Sequence, residues 1–216
     1  NDGICSDATF TTVGTASGGT IKWTTSGNGT FNSDTALNAV YTPGSTDTVV
    51  TLTLTVRGTN ECAALTPIVD TMQLTVSPAP TADAGATTAS MCSNTTYQTL
   101  GSATNGAITW TTSGTGTFSD STVENPIYTP SAADKLAGNV TLTIDVVGNS
   151  GSCVGNIKTD SIVLTITPNP TVNAGPATAI ICGGSVYQTQ GTATNGTIEW
   201  TTSGSGTFDD DTSATP

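Results

Sequence analysis

Three stretches of this chain repeat almost word for word: Ile21-Lys22-Trp23-Thr24-Thr25-Ser26-Gly27, Ile108-Thr109-Trp110-Thr111-Thr112-Ser113-Gly114 and Ile198-Glu199-Trp200-Thr201-Thr202-Ser203-Gly204. A block recurring at a fixed spacing makes the chain a series of like units, because each copy carries the same local preferences and the same packing demands. The tryptophans at the block centres stand 87 and then 90 residues apart. That period is too long for a solenoid coil and suits a small β-sandwich. At 216 residues the chain holds roughly two and a half such units. The boundaries read as residues 1–78 for a first repeat lacking its N-terminal strand, 79–168 for a complete second repeat, and 169–216 for the N-terminal part of a third. The first unit lacks the Ala-Gly lead-in seen at Ala84-Gly85 and Ala174-Gly175, and Pro216 aligns with Pro126 inside the second unit. Half a sandwich would expose a core face and strand edges, so the sequence is expected to be an internal window of a longer protein.

Aligning the units gives the secondary structure. Val50-Thr51-Leu52-Thr53-Leu54-Thr55-Val56 and Val140-Thr141-Leu142-Thr143-Ile144-Asp145-Val146 alternate apolar and polar residues strictly. Such a period of two, with β-branched threonines outside, predicts half-buried antiparallel strands. Each Trp strand has the same alternation, and last strands run through Met72, Leu74, Val76 and through Ile162, Leu164, Ile166. No sustained helical period appears, so the fold is expected to be all-β: tandem antiparallel sandwiches of the immunoglobulin-like or PKD-like kind. Gly18-Gly19, Asn105-Gly106 and Asn195-Gly196 precede the Trp strands and signal tight hairpin turns, since a type I′ turn needs positive φ at both central residues. That signal fits poorly with a strict immunoglobulin topology, in which the flanking strands belong to opposite sheets. The paired prolines of Ser77-Pro78-Ala79-Pro80 and Thr167-Pro168-Asn169-Pro170 predict short, semi-rigid connectors.

The five cysteines fall in register: Cys5 and Cys62, then Cys92 and Cys153, then Cys182. Within-repeat disulfides Cys5–Cys62 and Cys92–Cys153 are expected, with Cys182 left over because the third unit stops before its second cysteine. Each loop closure would stabilise its module by ~4 kcal/mol on the chain-entropy account. The wide spacing and the absence of histidine suit neither a zinc site nor a redox motif.

Four Lys and Arg against sixteen Asp and Glu give a net charge of −12, which excludes nucleic acid and anionic lipid as partners because both need a basic surface. No apolar run reaches the ~20 residues that span a membrane, so direct membrane insertion is not expected, and no basic and apolar leader opens the chain. Charged residues are only 9 % of the total, leaving Thr, Ser, Asn and Gly to supply the polar surface, as in secreted β proteins.

Catalysis has no foothold. Without His there is no Ser-His or Cys-His nucleophile pair. The Gly-x-Gly of Ser-Gly-x-Gly-Thr-Phe opens no helix and is no phosphate cradle, and Lys22, Lys135 and Lys158 do not recur at one position, as an isopeptide cross-link would need. Trp23, Trp110 and Trp200, with Phe31, Phe118, Phe208, Tyr41 and Tyr128, are read as core rather than as sugar-stacking platforms, because they alternate with apolar neighbours. Acids recur at Asp34, Asp120 and Asp210 after each Phe, and at Asp47 and Asp134. These are the calcium candidates, since Ca²⁺ takes six to eight oxygen ligands, and the competing reading is solvated turns with Asx caps. No other cofactor is indicated.

The run Trp-Thr-Thr-Ser-Gly-x-Gly-Thr-Phe, followed by Asn-x-(Val/Ile)-Tyr-Thr-Pro and Val-Thr-Leu-Thr, resembles the PKD-like and immunoglobulin-like repeats of very large cell-surface proteins of Bacteroidota, the gliding-motility adhesins in particular. The resemblance spans the chain. It implies export by the type IX secretion system and a filament attached at the outer membrane and carried by the motility machinery. On that reading the repeats form an extracellular stalk, and other parts of the protein contact a substratum or surface polysaccharide. The alternatives are carbohydrate-binding modules of a secreted protein and a self-assembling surface layer or filament.

Overall fold

The computed structural model describes residues 2–216. Seven strands make up the first set: β1 (Asp2–Cys5), β2 (Phe10–Thr11), β3 (Gly19–Thr25), β4 (Thr30–Phe31), β5 (Val40–Thr42), β6 (Val49–Gly58) and β7 (Ile68–Ser77). They pair as two sheets, in the orders β1-β7-β6-β3 and β2-β5-β4. The second set is β8 (Thr81–Asp83), β9 (Thr88–Cys92), β10 (Tyr97–Gln98), β11 (Ser102–Thr104), β12 (Gly106–Thr112), β13 (Thr117–Phe118), β14 (Ile127–Thr129), β15 (Asn139–Gly148) and β16 (Ile157–Thr167). It repeats the scheme as β12-β15-β16-β9 and β10-β14-β13, with a two-stranded ribbon of β8 and β11. Residues 169–216 contribute one such ribbon, β17 (Thr171–Asn173) with β18 (Thr192–Thr194). The chain is therefore all-β, built as tandem sandwiches with the strand order of immunoglobulin-like domains. In each of these two sets the first long-sheet strand runs parallel to the last, placing Cys5 opposite Ser77 and Cys92 opposite Thr167.

The alternating strands put every second side chain inside. Val140, Leu142, Ile144 and Val146 on β15 are buried, as are Ile162, Leu164 and Ile166 on β16. Val50, Leu52 and Leu54 do the same on β6. Between the sheets runs an aromatic column: Trp23, Phe31 and Tyr41, with ring centroids 5.9 and 5.1 Å apart, and Trp110, Phe118 and Tyr128, at 6.0 and 5.2 Å. All these rings are tilted, the arrangement that lets the positive edge of one meet the negative face of another. Trp200 and Phe208 keep the same relation at 5.8 Å. Both are only half-buried, because β15 and β16, which cover Trp110, have no counterpart in residues 169–216.

The Asn-Gly signal marks a real turn but not a hairpin. Asn105 and Asn195 do adopt positive φ, 58° each. The strands on either side of Asn105 go to different partners, β11 to β8 and β12 to β15, so the turn is a corner where the chain changes sheets. Gly106 is needed there for another reason: a Cβ would stand 2.6 Å from the Val147 carbonyl oxygen.

The α-helix α1, Ala132–Ala137, interrupts the second set. Ser131 caps it through a reciprocal capping box with Asp134, and Gly138 closes it at φ 78°. The Ser-x-x-Asp signature was visible in the sequence, but six residues are too few to show a helical period.

Candidate functional site

The structure joins Cys5 to Cys153, 148 residues away, with their Cα atoms 4.9 Å apart. This corrects the expected Cys5–Cys62 and Cys92–Cys153 pairs. Cys62, Cys92 and Cys182 are free thiols, all exposed. The reason is geometric. Cys5 ends β1 beside Ser77, the last residue of β7, while Cys62 lies in the loop before β7 begins at Ile68. The length of β7 separates the two ends, roughly 30 Å of extended strand, whereas a disulfide needs Cα atoms within about 7 Å. Cys153, in a short 3₁₀ turn (Gly151–Cys153) between β15 and β16, sits at the end of the second sandwich that faces the first.

A cluster of polar contacts surrounds the bridge. The Ser152 N–H donates to Ser77 Oγ at 3.0 Å, and the Ser6 N–H donates to the Ser77 carbonyl at 2.8 Å. The proline connector is held from both sides: the Ala79 N–H donates to Ser6 Oγ, and Asn105 Nδ2 donates to the Ala79 carbonyl, each at 2.9 Å. Lys158 Nζ pairs with Asp7 at 2.8 Å. That pair is partly exposed and contributes little by itself. Cys5, Cys153 and Ser77 are buried, so the covalent bond closes a dry joint rather than lying on the surface.

The acids singled out in the sequence stand apart from one another. The Asp47 carboxylate accepts from the Tyr41 hydroxyl at 2.5 Å and from the N–H groups of Asn28 and Gly44 at 2.9 Å each. Asp134 repeats this with the Tyr128 hydroxyl at 2.8 Å, Thr115 N–H at 2.9 Å and Ser131 N–H at 2.8 Å. Each carboxylate thus pins the Ser-Gly-x-Gly bend to the buried tyrosine. A Cβ at Gly114 would strike the Asp134 carboxylate, and one at Gly116 the Tyr128 ring, which explains that motif. Burial alone would raise the Asp134 pKa, but the N–H donors of Thr115 and Ser131, with the two side-chain hydroxyls of Tyr128 and Ser131, more than offset it and lower it to about 2. Asp47 is likewise lowered, its donors outweighing burial. Burial and the neighbouring carboxylate raise the Tyr41 hydroxyl.

Asp120 and Asp210 each hold their own turn, accepting from the N–H and hydroxyl of Thr122 and Thr212. Those hydrogen bonds lower both carboxyls. The Asp34 carbonyl accepts from the Trp23 N–H at 2.6 Å, and its carboxylate lies 3.8 Å from Lys22. Among the described residues no three His, Cys, Asp or Glu side chains gather into a metal-sized group. The indole N–H groups of Trp23, Trp110 and Trp200 donate to the carbonyls of Ala36, Glu124 and Ser213, tying each ring to the loop after its Phe. The Tyr–Asp pairing escaped the sequence reading, although both pairs stand six residues apart.

No family model matches the chain. No curated protein matches it either. Among solved structures, it is similar to three repeats of human CDH23 (EC21-23), at 12% identity and TM-score 0.40, over 88% of this chain and 81% of that one. It is similar to protocadherin gammaB7 EC3-6 at 12% identity and TM-score 0.35, over 88% of this chain and about half, 52%, of that one. The insect immune protein hemolin matches at 13% identity and TM-score 0.40, over 70% of this chain and 39% of its own. The likeness is too loose to transfer anything from those proteins to this one. Among the described residues, no helix is long and apolar enough to cross a membrane.

Proposed function

We propose that this chain is a load-bearing stalk segment of an extracellular adhesin, and that the Cys5–Cys153 bridge is its load path. The bridge is the observation that carries this reading. Tension entering at the N-terminal end passes from Cys5 straight to Cys153, so residues 6–152 lie in a closed loop that the pull bypasses. The strands from β2 to β15 therefore stay out of the pull, and the pinned proline connector keeps the joint from hinging. The aromatic residues serve the cores, which favours a mechanical role over sugar stacking. The motif resemblance adds the finer reading: a surface filament of the gliding-adhesin kind, exported by type IX secretion, attached at the outer membrane and moved by the motility machinery. Contact with a substratum or polysaccharide would then be made by other parts of the protein.

Single-molecule pulling between the two termini tests the load path. The oxidised chain is expected to yield no extension from residues 6–152. Reduction should add about 500 Å of contour length, at roughly 3.5 Å per freed residue. Equal extension in both states would sink the stalk reading.

A further inference from the structure

We propose that Cys62, Cys92 and Cys182 are halves of the same cross-repeat bridge. Wherever repeats of this kind adjoin, the cysteine ending the first strand of one bonds to the loop cysteine before the last strand of the next. Both halves of the formed bridge are duplicated at the free thiols. On the strand side, Cys92 stands opposite Thr167 as Cys5 stands opposite Ser77. The following N–H bonds across in each case, Ser93 to the Thr167 carbonyl at 2.9 Å and Ser6 to the Ser77 carbonyl at 2.8 Å. The turn after it closes alike, with Thr95 N–H to the Cys92 carbonyl and Ala8 N–H to the Cys5 carbonyl.

On the loop side, Cys62 ends a 3₁₀ turn (Asn60–Cys62) as Cys153 does. Its N–H donates three residues back to Thr59 at 3.1 Å, matching Cys153 to Ser150 at 3.2 Å. Each cysteine carbonyl lies against the glycine that closes the preceding strand, Gly58 or Gly148. The bonded cysteines are buried and the free ones exposed, so Cys62 and Cys92 each present an uncovered copy of a surface that, at the one completed joint, is covered by a neighbouring repeat. Cys182 holds the strand-side place in sequence, and its carbonyl accepts from the Ser185 N–H as those of Cys5 and Cys92 accept from Ala8 and Thr95. The occupant is a further copy of this repeat. Forming the bond removes two electrons and two protons from two thiols. A disulfide oxidant such as oxidised glutathione takes them up, through a mixed disulfide, and leaves as two thiols.

The proposal extends the load-path reading to the neighbouring joints and rests on it. The test continues the chain past Pro216 with a copy of residues 127–168, which gives the third repeat a loop cysteine in the place of Cys153. After folding with oxidised glutathione, free thiols are alkylated and peptides are mapped without reduction. The added cysteine is expected bonded to Cys92, with Cys62 and Cys182 alkylated. Ser90 occupies the place where Gly3 lies against Ser152, so a Ser90→Gly form is mapped in parallel to relieve crowding. A bond from the added cysteine to Cys182, or its alkylation together with Cys92 in both forms while Cys5–Cys153 is intact, overturns the proposal and leaves the first joint standing. Loss of the Cys5–Cys153 peptide itself overturns both readings.

Discussion

Asp134 is a buried carboxylate whose oxygens receive the Tyr128 hydroxyl and the N–H groups of Thr115 and Ser131. With its pKa lowered from 3.8 to about 2, the unfolded chain binds the proton more readily than the folded one. Its contribution is therefore fully present above about pH 4 and is lost as the pH falls towards 2, an amount of about 2 kcal/mol. Asp47 adds to the same slope. Urea unfolding followed from pH 7 down to pH 2 should show stability falling mainly below pH 4. In an Asp134→Asn chain, stability at pH 7 should drop by about 2 kcal/mol, as for a lost charged hydrogen bond, and the acid slope should flatten. The pairing was half legible. Tyr and Asp recur at one spacing, but read singly the tyrosine is a core residue and the aspartate a loop acid. Only the chain folding back over the Gly-x-Gly bend brings them together.

The strands themselves were plain in the sequence, because alternation such as that of residues 140–146 has one structural meaning when one face is buried. Connections were less so. Asn105-Gly106 carries the chemistry of a hairpin turn, yet local chemistry specifies a backbone conformation and not which partners the flanking strands take. Helix α1 hid for a related reason, since a single turn and a half of helix is defined by its cap and not by periodicity. At the Asn105 corner, Asn105→Ala should cost about 1–2 kcal/mol, because alanine keeps the Cβ that positive φ disfavours and loses the side-chain hydrogen bonds that let asparagine tolerate it. Asn105→Gly keeps the backbone and removes the exposed side-chain hydrogen bonds to the Ala79 carbonyl and the Thr104 hydroxyl, so it should cost about 1 kcal/mol or less. Thermal melts of the two variants side by side would separate the corner from the hook on the connector.

For the whole molecule, the cysteines misled because repeated sequence invites pairing within each repeat. The spacing of the thiols along the chain says nothing about which end of a sandwich each one occupies. The strand-end cysteine lies at one end and the loop cysteine at the other, so the bond crosses between modules. Closing a loop of 148 residues contributes about 5 kcal/mol on the chain-entropy account. Cys5→Ser should therefore lower the first calorimetric transition markedly, while Cys92→Ser, which removes an exposed free thiol, should leave it within about 0.5 kcal/mol of the parent. A bond of this span also changes what a protease can accomplish. One cut anywhere from residue 6 to residue 152 opens the ring without parting it, since the fragment bearing Cys5 stays fastened to the fragment bearing Cys153. If neighbouring rings overlap in the same way, a run of such repeats nicked once in each ring stays in one covalent piece.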